Sequence, residues 1–196
     1  MTPRPYHLGD LRQALLTAAE AELAEAGIEA FSLRQVARRA GVSHAAPAHH
    51  FGDSTGLLTA LAAEGYRQLI ASQALREDGA DADPRARLLA SGLGYIDFAL
   101  NRPALFRLLF GSRRPDYAQP DLALAANGAY AHLARQVHDA GGRTTAEEAG
   151  LWGVTHGLAD LLAAGRLTSI ASFEPAERDA VLSTILTRML PDPDAA

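Results

Sequence analysis

The sequence contains no cysteine and no lysine, and few of its residues are aromatic. Without cysteine, disulfide bonds, thiolate metal sites and thiol nucleophiles are excluded. The 18 basic residues are all arginine and face 23 acidic residues, which gives a net charge of −5. This balance argues against nucleic-acid binding by bulk electrostatics, so any contact with DNA must come from a small local surface.

Membrane and catalytic signals are also missing. No apolar run reaches membrane-spanning length, and the N-terminus "MTPRPYHLGDL" is too polar for a signal peptide, so we expect a soluble, cytoplasmic protein without a membrane partner. The sequence lacks Gly-x-Ser-x-Gly, a phosphate-binding glycine loop and His-Glu-x-x-His. A dyad of His156 with Asp160 would have no nucleophile, so we predict neither an enzyme nor a cofactor.

Alanine and leucine at helical spacing predict an all-α protein of about nine helices. Start and stop residues give the boundaries: the first helix ends at Gly27, and later helices begin near Asp53, Asp83-Pro84 and Pro103. Further helices are predicted at 121–140, at 145–166 after a Thr–Glu capping pair at 144–148, and at 175–190.

Residues 32–51 have the length and signals of a helix-turn-helix. Ser32 and Gln35 fit a capping box, with Phe31 and Val36 as a hydrophobic staple around it. Gly41 ends the first of the two helices. Ser43 is predicted to cap the second, which closes at Phe51 and is free to enter a major groove.

Four segments follow from these boundaries. We predict a DNA-binding domain at 1–53, a connecting helix at 54–75, a ligand-binding and dimerisation domain at 84–190, and a disordered tail at 191–196. The acidic stretch "REDGADADP" at 76–84 is the clearest break and is interpreted as a solvated linker. The loop at 111–119 holds Arg113 and Arg114, which could bind an anion, although a solvated loop is the favoured interpretation.

The N-terminal pattern "AGIEAFSLRQVARRAGVS", followed by "HHFGD", resembles the DNA-binding domain of the TetR family of transcriptional repressors. The resemblance covers about the first 58 residues. Trp152, followed by His156 and Gly157, is similar to a Trp-His-Gly subgroup. The family implies a homodimer on a palindromic double-stranded DNA operator. It also implies a small-molecule effector, here expected to be hydrophobic or aromatic, which releases the DNA.

The resemblance also implies roles for individual residues. Ser32 and Arg34 match phosphate-contacting positions, and His50 matches a backbone-contacting one. His49 completes the predicted surface, although an exposed bystander is the blander interpretation. The base-reading positions are Ser43, His44, Ala45 and Ala46.

Two positions depart from the family pattern. Ala48 replaces a usual tyrosine and Ser54 a usual lysine, and both family residues hold phosphates. Losing the lysine in both halves of a dimer should make the slope of log affinity against log salt shallower by about two units. We therefore expect weaker, less salt-sensitive binding unless Arg38 or Arg39 compensates. The alternative function is a helical ligand-binding or interaction protein whose DNA binding has decayed.

Two residue sets are predicted in the C-terminal domain, each beside an alternative as ordinary core packing. The predicted ligand-binding set is Tyr95, Phe98, Phe106, Phe110, Tyr130, Trp152 and His156. The predicted dimer interface, formed by the last two helices, is Gly153, Gly157, Leu161, Leu182, Ile185 and Leu186.

Three histidines near the predicted turn raise the question of zinc. His44 and His49 are five residues apart and diverge on a helix, and no carboxylate or cysteine completes a tetrahedral set with them and His50. We therefore predict no metal site.

Overall fold

The computed structural model describes residues 8–191, with side chains from residue 10, and this range forms ten helices and no strand. The prediction of an all-α fold is confirmed, with one helix more than the nine expected. The helices are α1 (Leu8–Ala26), α2 (Leu33–Ala40), α3 (Ala46–Phe51), α4 (Ser54–Asp78), α5 (Pro84–Asn101), α6 (Pro103–Gly111), α7 (Pro120–Asp139), α8 (Thr145–Ala163), α9 (Thr168–Ala171) and α10 (Pro175–Thr187).

Most helix boundaries lie at the residues from which they were predicted. Gly27 ends α1 with a φ of 74°, in the left-handed region where a side chain is disfavoured. The Asp83 side chain accepts a hydrogen bond from the Ala86 amide at 3.0 Å and so caps α5. Thr144 and Glu147 form the complete capping box that begins α8. Local sequence thus determines where these three helices begin or end.

Three expectations are wrong. α9 was not predicted, α4 continues through Asp78 into the stretch interpreted as a linker, and Pro191 is buried rather than part of a disordered tail. The Pro191 carbonyl accepts a hydrogen bond from Arg85, which fixes that residue on the protein. The rest of the predicted tail, 192–196, lies outside the described residues.

Two compact units divide the described residues. Unit 1 holds the residues up to Gly65 together with Ala104–Ala125, and unit 2 holds Tyr66–Pro103 together with the residues from Ala126 onward. This division differs from the predicted domains, because α6 and the loop after it group with the N-terminal helices. The first half of α4 belongs to unit 1 and its second half to unit 2.

The core of unit 1 includes residues of α6. Leu105, Phe106, Leu108 and Leu109 are all buried, as are leucines of α1 and of the first half of α4. A Cβ placed on Gly65 would lie 3.1 Å from side-chain atoms of Leu105 and Leu109. This contact shows that α6 packs closely on α4 within unit 1.

Unit 2 is built around α5. Leu88 joins Val137, Ala140 and Leu151 in a buried cluster. Gly94 lies so close to α4 that an added Cβ would be 2.6 Å from the Cα of Gln73, which leaves room for glycine alone.

Charged residues fix the C-terminal end of α4 in unit 2. Arg76 donates to Asp97 of α5 at 2.6 Å and to Asp179 of α10 at 2.7 Å. Beside it, the carboxylate of Glu77 is only 4% exposed, although sequence analysis placed this residue in a solvated linker. A buried carboxylate must be fully hydrogen-bonded to be tolerated, and Glu77 is.

Two side chains of α7 satisfy Glu77. His132 Nε2 lies 2.7 Å from one carboxylate oxygen, and the Gln136 amide donates to the other at 2.7 Å. Arg135 donates to His132 Nδ1 at 3.0 Å. Because a guanidinium can only donate, Nδ1 is the acceptor and the ring proton on Nε2 points at Glu77.

Candidate nucleic-acid interface

The helix-turn-helix is formed by α2, a tight turn and α3, all in unit 1. Gly41 ends α2 with a φ of 68°, and the Val42 amide donates back to the Ala37 carbonyl at 3.1 Å. Val36 and Ala37 are fully buried, so α2 is held by its inner face. The turn leaves the residues that follow it on the surface.

The second helix begins later than predicted. α3 starts at Ala46 with Ala45 as its N-cap, so the prediction that Ser43 caps it is wrong. Pro47 explains the shift, because proline lacks an amide hydrogen and is favoured in the first turn of a helix. Ser43 and His44 therefore lie in the turn, and the Ser43 carbonyl accepts from the Ala46 amide at 3.0 Å.

The predicted capping box of α2 is also absent. Ser32 has the extended backbone of an N-cap residue, with φ −136° and ψ 123°, but its side chain makes no capping hydrogen bond. The N-terminus of α2 thus lacks the local stabilisation expected from sequence.

The predicted DNA-binding residues share one property, which is access to solvent. Those classed as exposed are Arg34, Ser43, His44, Ala45 and His49, and those partly exposed are Ser32, Ala46 and His50. Among them, Ala45 and Ala46 offer methyl groups and His44 offers ring nitrogens, chemistry that can read base edges in a major groove. Ala48 is exposed as well, without the phosphate-binding group of a tyrosine.

One of the two arginines proposed to compensate for the missing lysine is already engaged. Arg39 donates to Glu22 at 3.0 Å and also pairs with Glu25, both on α1. Hydrogen bonds to Glu25 and Glu22 raise the pKa of Arg39. Arg38 is exposed on α2 and is the better candidate for a phosphate contact.

The C-terminal end of α3 is fixed by close backbone contact. An added Cβ on Gly56 would lie 1.9 Å from the Phe51 carbonyl oxygen, so a side chain at this position cannot be accommodated. Asp53 accepts from the Gly56 amide at 2.8 Å, as predicted for the start of α4. Arg12 of α1 lies 5.6 Å from the centre of the Phe51 ring, a cation–π distance.

The loop after α6 contacts the segments that flank the helix-turn-helix, a contact that the sequence did not predict. Arg114 donates to the Ile28 carbonyl at 2.5 Å and lies 3.4 Å from the Ser54 hydroxyl. The Asp116 amide donates to the Thr59 hydroxyl at 2.9 Å. The solvated-loop prediction is therefore wrong for Arg114, although it fits Arg113, which is exposed.

No group of three or more histidine, aspartate or glutamate side chains within the described range could hold a metal ion. Nor does any helix in that range have the length and apolar character needed to cross a membrane.

The structure divides the predicted ligand-binding set. Phe106 and Phe110 pack at 5.0 Å in unit 1, whereas the other five residues belong to unit 2. Phe98 and Phe106 are 2% and 1% exposed, so both act as core residues. Two cavities of unit 1, of about 470 and 560 Å³, are lined by other residues. The seven residues therefore do not form one site within a single unit.

Three of the unit 2 residues do come together. His156 Nδ1 lies 2.9 Å from the Tyr95 hydroxyl, and Trp152 also hydrogen-bonds to Tyr95. The indole can only donate, so the Tyr95 proton is directed at His156. Burial raises the pKa of Tyr95 and lowers that of His156, which keeps both groups neutral. Trp152 itself is 41% exposed and lies edge-on to Tyr130.

The predicted interface residues fall into two groups. Leu182 and Leu186 are each 1% exposed and point into their own unit, so neither can contact a partner chain as placed. Gly153 and Gly157 face open space, with no atom within 4 Å of an added Cβ, while Leu161 is exposed and Ile185 is partly exposed.

Comparison with known proteins places this geometry in a family. A family model described as the Tetracyclin repressor-like C-terminal domain matches residues 88–189, and one for bacterial regulatory proteins of the tetR family matches residues 15–61. The chain belongs to the tetR family. A subgroup marked by Trp152 and His156-Gly157 is not confirmed by these matches and stays a prediction.

Individual relatives agree with the family. The chain is 39% identical over 79 residues to the HTH-type transcriptional regulator BetI of Burkholderia ambifaria, an alignment that covers 40% of this chain and 41% of BetI. The chain thus spans about two-fifths of the length of this curated relative. BetI is named as a regulator, in agreement with the expectation that the chain is not an enzyme.

Solved structures extend the likeness over the whole chain. A protein with unknown function from Rhodococcus sp. RHA1 is 34% identical and has a TM-score of 0.79, with 97% of this chain and 100% of that chain covered. A TetR-like transcriptional regulator from the same source has a TM-score of 0.66 at 18% identity, over 96% of this chain and 97% of its own, which shows a shared fold.

Proposed function

We propose that the protein is a dimeric transcriptional repressor, which binds a palindromic DNA operator through α2, the turn and α3 and is released by a small-molecule effector. The observation that carries this proposal is the exposed surface of the helix-turn-helix, from Arg34 to His49, on a buried scaffold. The match of residues 15–61 to the tetR family supports it.

Because the net charge of the protein is −5, we expect its affinity for DNA to come from a small local surface. The exposed residues of this surface include Arg34 and Arg38, both on α2. Of these two, Arg34 belongs to the predicted DNA-binding set. Because Arg39 pairs with glutamates and Ser54 carries no charge, we expect few phosphate contacts per half-site. A shallow dependence of affinity on salt follows.

Binding of the purified protein to DNA from upstream of its own gene tests the proposal, measured by fluorescence anisotropy at low and physiological salt. We expect saturable binding that survives competitor DNA. His44→Ala and Arg34→Ala should each weaken it about fivefold or more, since a good contact to a base or phosphate contributes on the order of 1–3 kcal/mol.

His138→Ala is the matched control for His44→Ala. His138 is a strongly exposed histidine at the end of α7, with an 83% exposed side chain, and is not part of the predicted surface. Equal losses in both variants, or no fragment bound even at low salt, would contradict the repressor assignment.

The absence of DNA binding would favour the second candidate, a ligand-binding or interaction protein of the same fold. The observations that favour it are the exposed methyl of Ala48 and the pairing of Arg39. In that case Trp152, the only tryptophan, is a natural probe, because its partly exposed indole would report an apolar or aromatic ligand near Tyr95 and His156 by a change in fluorescence.

Dimerisation is proposed through the outer face of α8, with Ile185 of α10 at its side. Gly157→Glu tests this contact, because the single chain has open space at that position while a closely packed partner helix would not. We expect a shift from dimer to monomer in sedimentation velocity. Gly111→Glu, which also enters open space but at the end of α6, is the control and should stay dimeric. A dimer that persists in Gly157→Glu would rule out this face.

A further inference from the structure

A single guanidinium bonds to both segments that flank the helix-turn-helix. Arg114 donates to the carbonyl of Ile28, in the turn before α2, at 2.5 Å. Its second terminal nitrogen lies 3.4 Å from the hydroxyl of Ser54, the first residue of α4 after α3. The helix-turn-helix is therefore bracketed, at entry and exit, by one side chain from a distant loop.

The loop that carries Arg114 is itself anchored. The Asp116 amide donates to the Thr59 hydroxyl at 2.9 Å, and that hydroxyl donates in turn to the Thr55 carbonyl at 2.7 Å. Tyr117 donates to the Leu109 carbonyl at 2.7 Å, which ties the loop back to α6. Arg114 is thus presented from a loop whose position is set independently of its own bonds.

The start of the helix-turn-helix has no side-chain cap that would fix it locally. Ser32 makes no side-chain hydrogen bond at the start of α2, so the turn between α1 and α2 is not fixed by capping. At the other end of α2, Arg39 binds Glu22 and Glu25 and holds it to α1. The bond that Arg114 makes to Ile28 therefore holds the entry turn, together with the buried side chain of Phe31.

We infer that Arg114 is a positioning residue for DNA binding, which rests on the proposed function of this surface. It fixes the turn before α2 and the start of α4, so that the reading surface is ordered before DNA is met. A pre-ordered surface binds more tightly because less ordering is required on association. Because the guanidinium engages backbone and hydroxyl oxygens of its own unit, we do not propose that it contacts phosphate.

The salt dependence of binding distinguishes these two roles. If Arg114 positions the surface, Arg114→Ala raises the Kd for the specific fragment about fivefold or more, since a hydrogen bond from a charged group is lost, without changing the slope of log affinity against log salt. A slope reduced by about two units in the dimer would mean that Arg114 neutralises phosphate, and would overturn the positioning role.

Arg113→Ala is the matched control, since it removes the same charge from the adjacent, exposed residue. Its Kd should stay within about twofold of the wild type, because surface changes of this kind have small effects. Equal Kd values for the two alanine variants would overturn the inference. Arg114→Lys should recover part of the affinity, because one ammonium can still reach one of the two oxygens.

Thr59→Val provides a second test of this inference in case Arg114→Ala folds poorly. Valine has nearly the shape of threonine but cannot accept the Asp116 amide, so the loop that presents Arg114 is loosened. We expect the same rise in Kd, at smaller size and with an unchanged salt slope. An unchanged Kd in a folded Thr59→Val protein would count against the anchored-loop argument.

Amide hydrogen exchange of the free protein separates failure of this inference from failure of the proposed function. Arg114→Ala should speed exchange in the turn between α1 and α2, and Arg113→Ala should not. If the wild type binds no DNA but this difference is seen, the function fails while the bracketing by Arg114 stands. If exchange in the turn is unchanged, the inference fails whatever the DNA result.

Discussion

The two ends of α4 are held in different ways. At its N-terminal end, in unit 1, Ser54 and Thr59 contact the loop after α6 through one arginine, one hydroxyl and one backbone amide. At its C-terminal end, in unit 2, Arg76 and Glu77 make ion pairs and hydrogen bonds to side chains of α5, α7 and α10. The polar contacts of the first end are few, whereas those of the second form a dense charged network.

Burial determines how much stability is lost when a polar contact at either end of α4 is removed. Glu77 and His132 are 4% and 7% exposed, so water cannot replace a lost partner there. Ser54 and Arg114 are partly exposed, so water can take over some of their bonds. The polar contacts at the end of α4 near the reading surface are therefore easier to loosen, as is usual for elements that bind and release a partner.

Removing Glu77 is the largest change we predict. Glu77→Ala should lower the free energy of unfolding by about 3–5 kcal/mol, because it leaves His132 and Gln136 buried without their acceptor. Chemical denaturation measures this effect. Asp78→Ala, at the exposed neighbouring acid, should change stability by less than about 0.5 kcal/mol.

The same measurement on Arg114→Ala makes the comparison quantitative. We expect less than half the loss found for Glu77→Ala, since the arginine is partly exposed and bonds to neutral oxygens. Equal losses in the two variants would show instead that the polar contacts at both ends of α4 contribute similarly to stability.

Sequence predicted the helices where the residues that begin or end them act locally. Asp83 and the Thr144–Glu147 pair lie within a few residues of the amides they cap, so their effect is visible in the chain. α9 was missed because it has four residues and no side-chain cap. The predicted start of α3 is wrong because Ser43 has a side chain suited to capping, whereas the helix begins two residues later with Pro47 in its first turn.

The residues that hold the two ends of α4 were less accessible to prediction. Arg114 and Ile28 are 86 positions apart, and Glu77 and His132 are 55 apart, so no local pattern links either pair. Glu77 did carry one signal, since it follows Tyr66, Ile70 and Gln73 along one helical face. The resemblance to a known family supplied the DNA-binding residues, but it could not show which arginines are already paired.

The smallest predicted effect concerns a neutral bond of unit 2, between Tyr95 and His156. Burial lowers the pKa of His156 in the folded protein, so between its ordinary value near 6.5 and that lower value the unfolded chain binds more protons. Stability from this site is complete above about pH 6.5 and is lost as the pH falls toward the folded pKa. Thermal midpoints should be measured for the wild type and His156→Gln between pH 7.5 and 5.5. Over this range the midpoint of the wild type should fall by on the order of 1 °C more than that of the variant.

His138→Gln is the control, because it removes an exposed histidine from the same unit. Asp160, which favours the charged form of His156, acts against burial and keeps the effect small. A steeper loss of stability on acidification in the wild type than in His156→Gln would show that burial lowers the pKa of His156 in the folded protein. Parallel curves would mean that burial of His156 contributes no pH dependence, and would leave the buried Glu77 network as the polar contact that distinguishes unit 2 from the reading end of α4.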